Sequence, residues 1–342
     1  MVNNHKKFRI LSLDGGGVRG YLSILILENI ENHLNEKEGN EKPLGERFDL
    51  IAGTSTGAII GGLLAIGKSA RDIRKMYEND IPVIFGKRMR RRFPLNIFPF
   101  SLIFSKYKTN ELSKKANSYF EDLTFKDVKT DLIVTSVDIS SMTPRFHKSD
   151  FAEKNKWRVN EKLASAIIAS SSAPSYFPIA RHLKYSDYLI DGGIVANNPS
   201  LIALIDALQF ERKSKRNQEK PNSISDVTLL SLGTGEIGTL PYNLKSLENT
   251  SLDWLIEPQI SIMPPSFETS KPLIDILMET QSKLTEDNVK FLFKAHNNEE
   301  GYLRINPLIK SKIKLDDANK ISILKNLANL TQHQINQIEK ML

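Results

Sequence analysis

The 342-residue chain carries 47 Lys and Arg against 40 Asp and Glu, which gives a formal net charge of +7, and it contains no cysteine. The length and the 40% hydrophobic content predict a globular protein of one large domain or two small ones. Without cysteine the chain has no disulfides or thiolate metal sites, which is typical of a reducing compartment. The positive charge favours an anionic partner, either a membrane surface or nucleic acid, although a solvated lysine-rich surface gives the same charge.

Strands and helices alternate along the chain. Strands are predicted at 8–13, 48–52, 131–138, 188–191 and 227–235. Helices are predicted at 20–35, 56–66, 69–80, 109–120, 160–170 and 199–213, and apolar residues return at helical spacing over 315–341. No run approaches the ~20 apolar residues that a membrane-spanning helix needs, and the first residues hold no signal-peptide pattern. The alternation predicts a three-layer α/β fold, with a mostly parallel central sheet and helices on both faces.

The segment GTSTG, residues 53–57, stands between a predicted strand and a predicted helix. This is the context of the G-x-S-x-G nucleophile elbow, in which a tight turn lifts a serine hydroxyl above the carboxyl end of a sheet. The glycines on either side of Ser55 fit such a turn, and the helix N-terminus behind it favours a developing anion. A strand–helix turn with incidental glycines has the same five residues, so the motif alone leaves both interpretations open.

The segment DGGGVRG, residues 14–20, also follows a strand and precedes a helix. Its glycines satisfy G-x-G-x-x-G, so a nucleotide-binding loop is one interpretation. That motif expects an acidic residue at the end of the next strand, where this chain instead has Gly53-Thr54-Ser55. A P-loop is excluded because no G-K-[ST] follows the glycines.

The second interpretation of this loop is an oxyanion hole. The backbone amides of Gly15, Gly16 and Gly17 are unobstructed by side chains and would bind the charge that develops on a carbonyl oxygen. Arg19 would steady the loop or bind a phosphate, and an ordinary surface salt bridge is the alternative for this residue.

A serine nucleophile needs a base, and the six histidines do not lie in contexts typical of a catalytic loop: His5, His33, His147, His182, His296 and His333. Asp191 does lie in such a context. The segment YLIDGGIVANNP, residues 188–199, places it at the end of an apolar strand and before two glycines. An aspartate can take the serine proton directly if burial raises its pKa above the ordinary ~3.9. A turn aspartate before Gly-Gly is the plainer interpretation of this segment by itself.

In order and spacing, the segments DGGGVRG, GTSTG and DGG-x₃-NNP resemble the patatin-like phospholipase family. Further segments are similar to that family, namely ASSSAPSYFPI, SLGTG and YLRINP. The resemblance covers roughly residues 8–240 and implies a patatin-like α/β fold. It implies one domain over 1–342, with a catalytic core of about 8–240 and a C-terminal helical and strand extension of about 241–342.

The resemblance implies a serine lipid acyl hydrolase of the phospholipase A or lysophospholipase type, a carboxylic ester hydrolase acting on membrane phospholipids. It implies a Ser–Asp dyad of Ser55 and Asp191, an acyl-enzyme, and an oxyanion hole from the amides of residues 15–17. No cofactor and no metal are implied, and Asp316-Asp317 lacks the spacing of a calcium loop. The alternatives are a nucleotide-binding protein that uses the GGGVRG loop, and a catalytically silent membrane adaptor.

The implied partner is a phospholipid membrane, bound peripherally, and no nucleic acid is expected. Bacterial members of the family include toxins, secreted effectors and antiviral phospholipases gated by cyclic oligonucleotides, so a small-molecule nucleotide activator remains an open expectation. The abundance of Lys, Asn and Ile is typical of an AT-rich bacterial genome. We expect a cytoplasmic protein at the inner membrane, or a secreted effector without a signal peptide.

A basic and aromatic segment, FGKRMRRRFPLNIFPFSLIFSK at 85–106, is expected to form a lid or an interfacial loop. Its arginines would meet anionic headgroups and its phenylalanines would enter the membrane: Arg88, Arg90, Arg91, Arg92, Phe98 and Phe100. A cap packed over the domain's own core is the alternative, and a basic aromatic run also suits nucleic acid or a protein partner. The apolar loop PQISIMPPSF, 258–267, could border the same channel.

Overall fold

The computed structural model describes residues 7–86, 109–149, 158–174, 176–182, 187–209, 220–237, 272–310, 313 and 315–342. Residues 87–106 of the expected lid, with all six of its named side chains, lie outside these ranges, and so does the loop 258–267. None of the helices in the described ranges combines the length and the apolar composition that crossing a bilayer requires.

Most strands of the structure belong to one sheet. The strands, in chain order, are Phe8–Leu13 (β1), Leu50–Gly53 (β2), Asp131–Asp138 (β3), Thr143–Lys148 (β4), Ala180–His182 (β5), Asp187–Asp191 (β6), Val227–Leu232 (β7), Glu236–Ile237 (β8), Tyr302–Ile305 (β9) and Leu308–Ile309 (β10). The order across the main sheet is β5-β6-β3-β2-β1-β7-β9, with β4 also on β3, while β8 and β10 form a separate pair. Strands β3, β2, β1, β7 and β9 run parallel, which confirms the mostly parallel sheet.

The antiparallel strand β6 brings a late part of the chain to the end of β2. Gly53, the last residue of β2, is opposite Val134 of β3, and Asp191, the last residue of β6, is opposite Ser136. Strand β4 occupies one edge of β3, so β2 and β6 both pair with the other edge. They run in opposite directions there, and their C-terminal ends face each other. Val134 and Ser136 are two residues apart on β3, so the two strand ends lie about 7 Å apart along it.

The helices cover both faces of the sheet. Their bounds are Gly20–Glu38 (α1), Thr56–Ala65 (α2), Ala70–Gly86 (α3), Thr109–Phe120 (α4), Leu163–Ser170 (α5), Gly193–Ala196 (α6), Ser200–Leu208 (α7), Pro272–Ala295 (α8) and Gln332–Met341 (α9). Short 3₁₀ helices form at Gly17–Arg19, Leu44–Arg47, Arg158–Asn160, Ile224–Asp226, Glu299–Gly301 and Ala318–Leu327.

Two apolar cores result from the alternation of side chains along the strands. On one face, Leu11 and Leu132 pack with helices α1, α2 and α5, where Leu22, Ile26 and Ile30 of α1 are fully buried at intervals of four residues. On the other face, Ile10 and Ile133 pack with α7 and α8 through a second set of buried side chains: Ala203, Leu204, Ala207, Val289 and Phe293. This is the three-layer α/β fold that the sequence predicts.

Candidate active site

Ser55 occupies a strained turn between β2 and α2. Its backbone has φ of 55° and ψ of −120°, a conformation that costs a non-glycine residue about 1–3 kcal/mol. The end of α5 holds this turn on both sides, because the Ser55 amide donates to Ser170 Oγ at 2.9 Å and Ser171 Oγ donates to the Ser55 carbonyl at 3.3 Å. Ser170 and Ser171 belong to the ASSSAPSYFPI segment, whose resemblance to the family did not reveal this supporting role.

The glycines of GTSTG are required by close backbone approach. A Cβ on Gly53 would lie 2.3 Å from the Gly57 carbonyl oxygen, and one on Gly57 would lie 2.2 Å from the carbonyl oxygen of Leu13. Both contacts are far inside van der Waals distance, so neither position accepts a side chain without movement of the backbone. The first turn of α2 therefore lies directly against the end of β1, which leads into the glycine loop.

Asp191 is buried beside Ser55, with 4% of its surface exposed. The Gly193 amide donates a hydrogen bond of 2.7 Å to Asp191 Oδ1, and the Ser55 side chain lies close enough to the same carboxylate to lower its pKa. Burial raises the pKa of Asp191 to about 6, although the nearby Ser55 hydroxyl and the hydrogen bond from the Gly193 amide oppose the rise. The carboxylate is therefore a stronger base than an ordinary aspartate and is still ionised at neutral pH.

The glycine loop is fixed by contacts from three parts of the chain. Gly17 has φ of 56°, and a Cβ on it would lie 2.1 Å from the Leu315 carbonyl oxygen. That same oxygen accepts from the Val18 amide at 2.8 Å. The Tyr77 hydroxyl donates to the Gly17 carbonyl at 2.5 Å and lies 2.7 Å from Thr56 Oγ1, so it joins the loop to the turn at Ser55.

The three loop amides differ in their availability. The Gly15 amide donates to the Asn197 carbonyl at 3.1 Å, whereas the amides of Gly16 and Gly17 have no acceptor within the described ranges. Gly16 and Gly17 also line the cavity that contains Ser55 and Asp191. Two free N–H groups therefore lie at this cavity, and the Gly15 amide is already used.

Arg19 does not line the cavity. Its side chain is 7% exposed and lies within the electrostatic field of Asp14 and Glu279. Its Nε and Nη1 atoms have no hydrogen-bond partner in the described part of the structure. The buried location differs from the surface salt bridge that sequence reasoning weighed for this residue.

An ion pair that sequence reasoning missed holds the start of the glycine loop. Arg304 on β9 contacts Asp14 through two parallel hydrogen bonds, of 2.8 Å from Nη1 and 2.6 Å from Nη2. Both side chains are almost completely buried, and Arg304 Nη1 also donates to Ser231 Oγ on β7. The segment YLRINP carries this arginine, so its resemblance to the family was the available signal.

The cavity at Ser55 is walled mainly by apolar side chains of four helices. They come from α2, α3, α4 and α5 and include Ile59, Leu63, Ile73, Met76, Leu112, Phe120 and Ile167. The wall also holds Asp80, which pairs with Lys115 at 2.7 Å and accepts from the Tyr119 hydroxyl. A long apolar group could enter this cavity beside Ser55 and Asp191, because most of the side chains in its wall are apolar.

The cavity wall contains no histidine from the described residues. His147 instead forms a buried network in which its Nε2 lies 2.8 Å from Ser136 Oγ and its Nδ1 lies 2.8 Å from Glu161 Oε2. This order of groups is that of a Ser–His–Glu triad, which the sequence gave no reason to expect. Ser136 is fully buried and outside the cavity, so the network has no visible access to a substrate.

Comparisons with known proteins identify the family of the chain. The family model described as patatin-like phospholipase matches residues 11–204. Patatin-like protein 2 of Arabidopsis thaliana is 30% identical over 317 residues, which cover 86% of this chain and 74% of that protein. The cGAMP-activated phospholipase of Vibrio cholerae serotype O1 is 35% identical over 236 residues, 66% of this chain and 64% of that one.

Among solved structures, VipD from Legionella pneumophila is similar, with 12% identity and a TM-score of 0.43 over 98% of this chain and 67% of that chain. The family model spans more than half of the chain, and the Arabidopsis relative adds 30% identity over most of its length. On these two matches, the chain belongs to the patatin-like phospholipase family and is a carboxylic ester hydrolase of that family.

Proposed function

We propose that the protein hydrolyses fatty-acyl esters of membrane phospholipids with Ser55 as nucleophile and Asp191 as its base. The observation that carries the proposal is that the Ser55 side chain lies beside the buried Asp191 carboxylate and lowers its pKa, with both residues in the wall of one apolar cavity. The family match supports lipid hydrolysis in general, and this contact supports the specific pair of residues.

In the first half of the reaction, Ser55 Oγ attacks the ester carbonyl carbon while Asp191 takes the hydroxyl proton. The carbonyl oxygen becomes an oxyanion, and the free amides of Gly16 and Gly17 donate hydrogen bonds to it. The carbon–oxygen bond to the lysophospholipid then breaks, and the protonated Asp191 returns the proton to the departing alkoxide oxygen. The acyl group remains as an ester on Ser55.

In the second half, Asp191 takes a proton from a water molecule that attacks the acyl-enzyme carbonyl. The same two amides stabilise the second oxyanion, and the bond to Ser55 Oγ breaks as Asp191 returns the proton to the serine. The fatty acid leaves, and both residues are restored. The apolar cavity holds the acyl chain throughout, while the headgroup stays outside.

A fluorophosphonate probe tests the nucleophile against the nucleotide-binding alternative. The probe phosphonylates an activated serine, so we expect mass spectrometry to find the label on the peptide that contains Ser55. Ser55→Ala should abolish the label, and the exposed control Ser118→Ala on α4 should not change it. An unlabelled wild-type protein that binds a dinucleotide would instead support nucleotide binding by the GGGVRG loop.

We also propose a test for activation by a nucleotide, which the name of the Vibrio cholerae relative motivates. Phospholipid hydrolysis would be measured with and without cGAMP and other cyclic dinucleotides. An activated protein would show a rate that rises and saturates with one of these compounds, whereas an ungated protein would hydrolyse lipid at the same rate in each case.

We also propose that the protein acts peripherally at a membrane, with or without such an activator, and that the whole chain forms one domain.

A further inference from the structure

Helix α8 carries apolar side chains on its exposed side. Leu273, Leu277, Leu284 and Phe291 are 37%, 43%, 63% and 68% exposed. We call these four residues the outer stripe. Their intervals of four, seven and seven residues place them on one face of the helix, over a length of about 27 Å. The opposite face is buried on the sheet through Thr285, Val289 and Phe293, so these apolar residues are additional to the helix's own packing face.

The outer stripe begins at the mouth of the cavity. Ile274 and Met278 line the cavity, and they are the sequence neighbours of Leu273 and Leu277. Ile194 of α6 also lines the cavity, and it is 37% exposed. Apolar side chains of α8 therefore extend from the cavity wall, at Ile274 and Met278, to the first residues of the outer stripe, Leu273 and Leu277.

We propose that the outer stripe of α8 lies against the surface of the phospholipid bilayer that supplies the substrate. The proposal rests on the proposed function, because it is the acyl chain of a bilayer lipid that must pass from the membrane to Ser55. One face of α8 lines the cavity, and the neighbouring face would enter the boundary of the acyl layer. The acyl chain of a lipid could then move from the membrane into the cavity without passing through water. Apolar residues on a helix in the interface plane are the usual means of such binding.

The polar residues within the stripe favour a membrane over a second copy of the chain. Thr280 and Asp287 lie between the apolar residues on the same exposed side of α8. A helix–helix interface would bury the Asp287 carboxylate, which is costly for a charged group. The headgroup layer of a membrane would keep both side chains hydrated.

Co-sedimentation with phosphatidylcholine vesicles tests the proposal. We expect the double variant Leu284→Ser/Phe291→Ser to partition into vesicles at least about tenfold less than the wild type, because two exposed apolar side chains are lost. The binding should persist at high salt, since it depends on apolar area. The matched control is Ile323→Ser, which removes a 41% exposed apolar side chain from a segment packed on α1, on the other side of the sheet.

The second measurement is the fluorescence of a tryptophan introduced into the outer stripe. In Phe291→Trp the new indole should shift its emission to shorter wavelength when vesicles are added, because it moves from water into the acyl boundary. Equal vesicle binding by the double variant and the wild type, or an unshifted emission in Phe291→Trp, would overturn the proposal. So would a wild-type dimer that the double variant converts to monomer without any change in vesicle binding.

Hydrolysis of a short-chain, water-soluble ester separates this proposal from the proposed function. Leu284 and Phe291 do not line the cavity, so the double variant should keep wild-type activity on that ester and lose activity on vesicles only. An inactive wild type on both substrates would contradict the proposed function, while the vesicle binding would still be measured. Equal loss on both substrates in the double variant would assign the stripe to the fold rather than to the membrane.

Discussion

At the scale of single residues, the environment of Asp191 decides how the protein responds to pH. The carboxylate must be ionised to accept the Ser55 proton, and burial raises its pKa to about 6. We therefore expect kcat/KM for a soluble ester to rise with pH, about tenfold per unit below pH 6, and to level off above it. A pH–rate profile measures this directly. An acid limb near the ordinary aspartate value of ~4 would contradict the role of a buried Asp191 as base.

The same shift predicts an effect on stability. The folded protein holds the Asp191 proton more tightly than the unfolded chain, whose pKa is near 3.8, so the free energy of unfolding falls as pH rises from about 4 to about 6. Asp191→Asn keeps the shape without the buried charge, and we expect it to be more stable than the wild type at pH 7 by about 1–3 kcal/mol. Denaturant unfolding of the wild type and Asp191→Asn at about pH 4 and at pH 7 measures this. A variant less stable than the wild type at pH 7 would contradict the expectation.

Tyr77 is a positioning residue whose effect should be on kcat. Tyr77→Phe removes the hydroxyl that joins the Gly17 carbonyl to Thr56, so the amides of the loop lose their fixed position relative to Ser55. We expect kcat to fall about 10–100-fold with little change in KM. Tyr21→Phe is the matched control, because Tyr21 stacks on Tyr77 but its hydroxyl bonds to Glu78. Equal losses in the two variants would rule out the positioning role.

At the scale of elements, the site depends on strands that come from distant parts of the chain. The sequence predicts a strand at 188–191, and Asp191 at its end, but not that this strand runs antiparallel to β3 and meets β2 head-on. The place where β6 pairs depends on which edge of β3 remains free beside β4, and no local pattern records that. Helix α8 was not predicted because its outer stripe adds apolar residues to the side opposite its packing face, which obscures the helical period.

The other differences at this scale have similar causes. The helical spacing over 315–341 corresponds to a 3₁₀ helix, Ala318–Leu327, and a separate helix, Gln332–Met341. Thr331 is the N-cap of the second helix: its side chain accepts a hydrogen bond from the Gln334 amide, and the Gln334 side chain accepts one from the Thr331 amide. Strand β4 was missed because TPRFHK is an edge strand with polar side chains and shows little apolar alternation.

Strand β9 should contribute to stability through Arg304. Arg304→Met leaves the Asp14 carboxylate buried without its partner, and we expect a loss of about 3–5 kcal/mol in the free energy of unfolding. Adding Asp14→Asn to the same chain should recover part of that loss. Lys340→Met is the control, because its ion pair with Glu300 is exposed and should matter by less than about 0.5 kcal/mol. Denaturant unfolding compares the four proteins, and equal stability of Arg304→Met and Lys340→Met would contradict the expectation.

At the scale of the whole molecule, the three-layer fold brings distant segments of the chain together at the carboxyl ends of the parallel strands. The two motifs, the aspartate and the order of the elements could be predicted from the sequence, because each has a local pattern of glycines and apolar residues. The supporting contacts from Ser170, Tyr77 and Arg304 could not, because they join residues far apart in the chain that carry no motif of their own. The outward apolar face of α8 is likewise visible only once the packing of that helix is known.

The central claim is that a serine and an aspartate cleave the ester without a histidine. The most direct measurement is the release of fatty acid from phosphatidylcholine by the wild type, Ser55→Ala, Asp191→Asn and His147→Gln, each shown to be folded and assayed with excess EDTA. We expect both dyad variants to lose about 10³-fold or more in rate and His147→Gln to keep most of the wild-type rate. Full activity in either dyad variant, or a folded His147→Gln protein as inactive as Ser55→Ala, would contradict the claim.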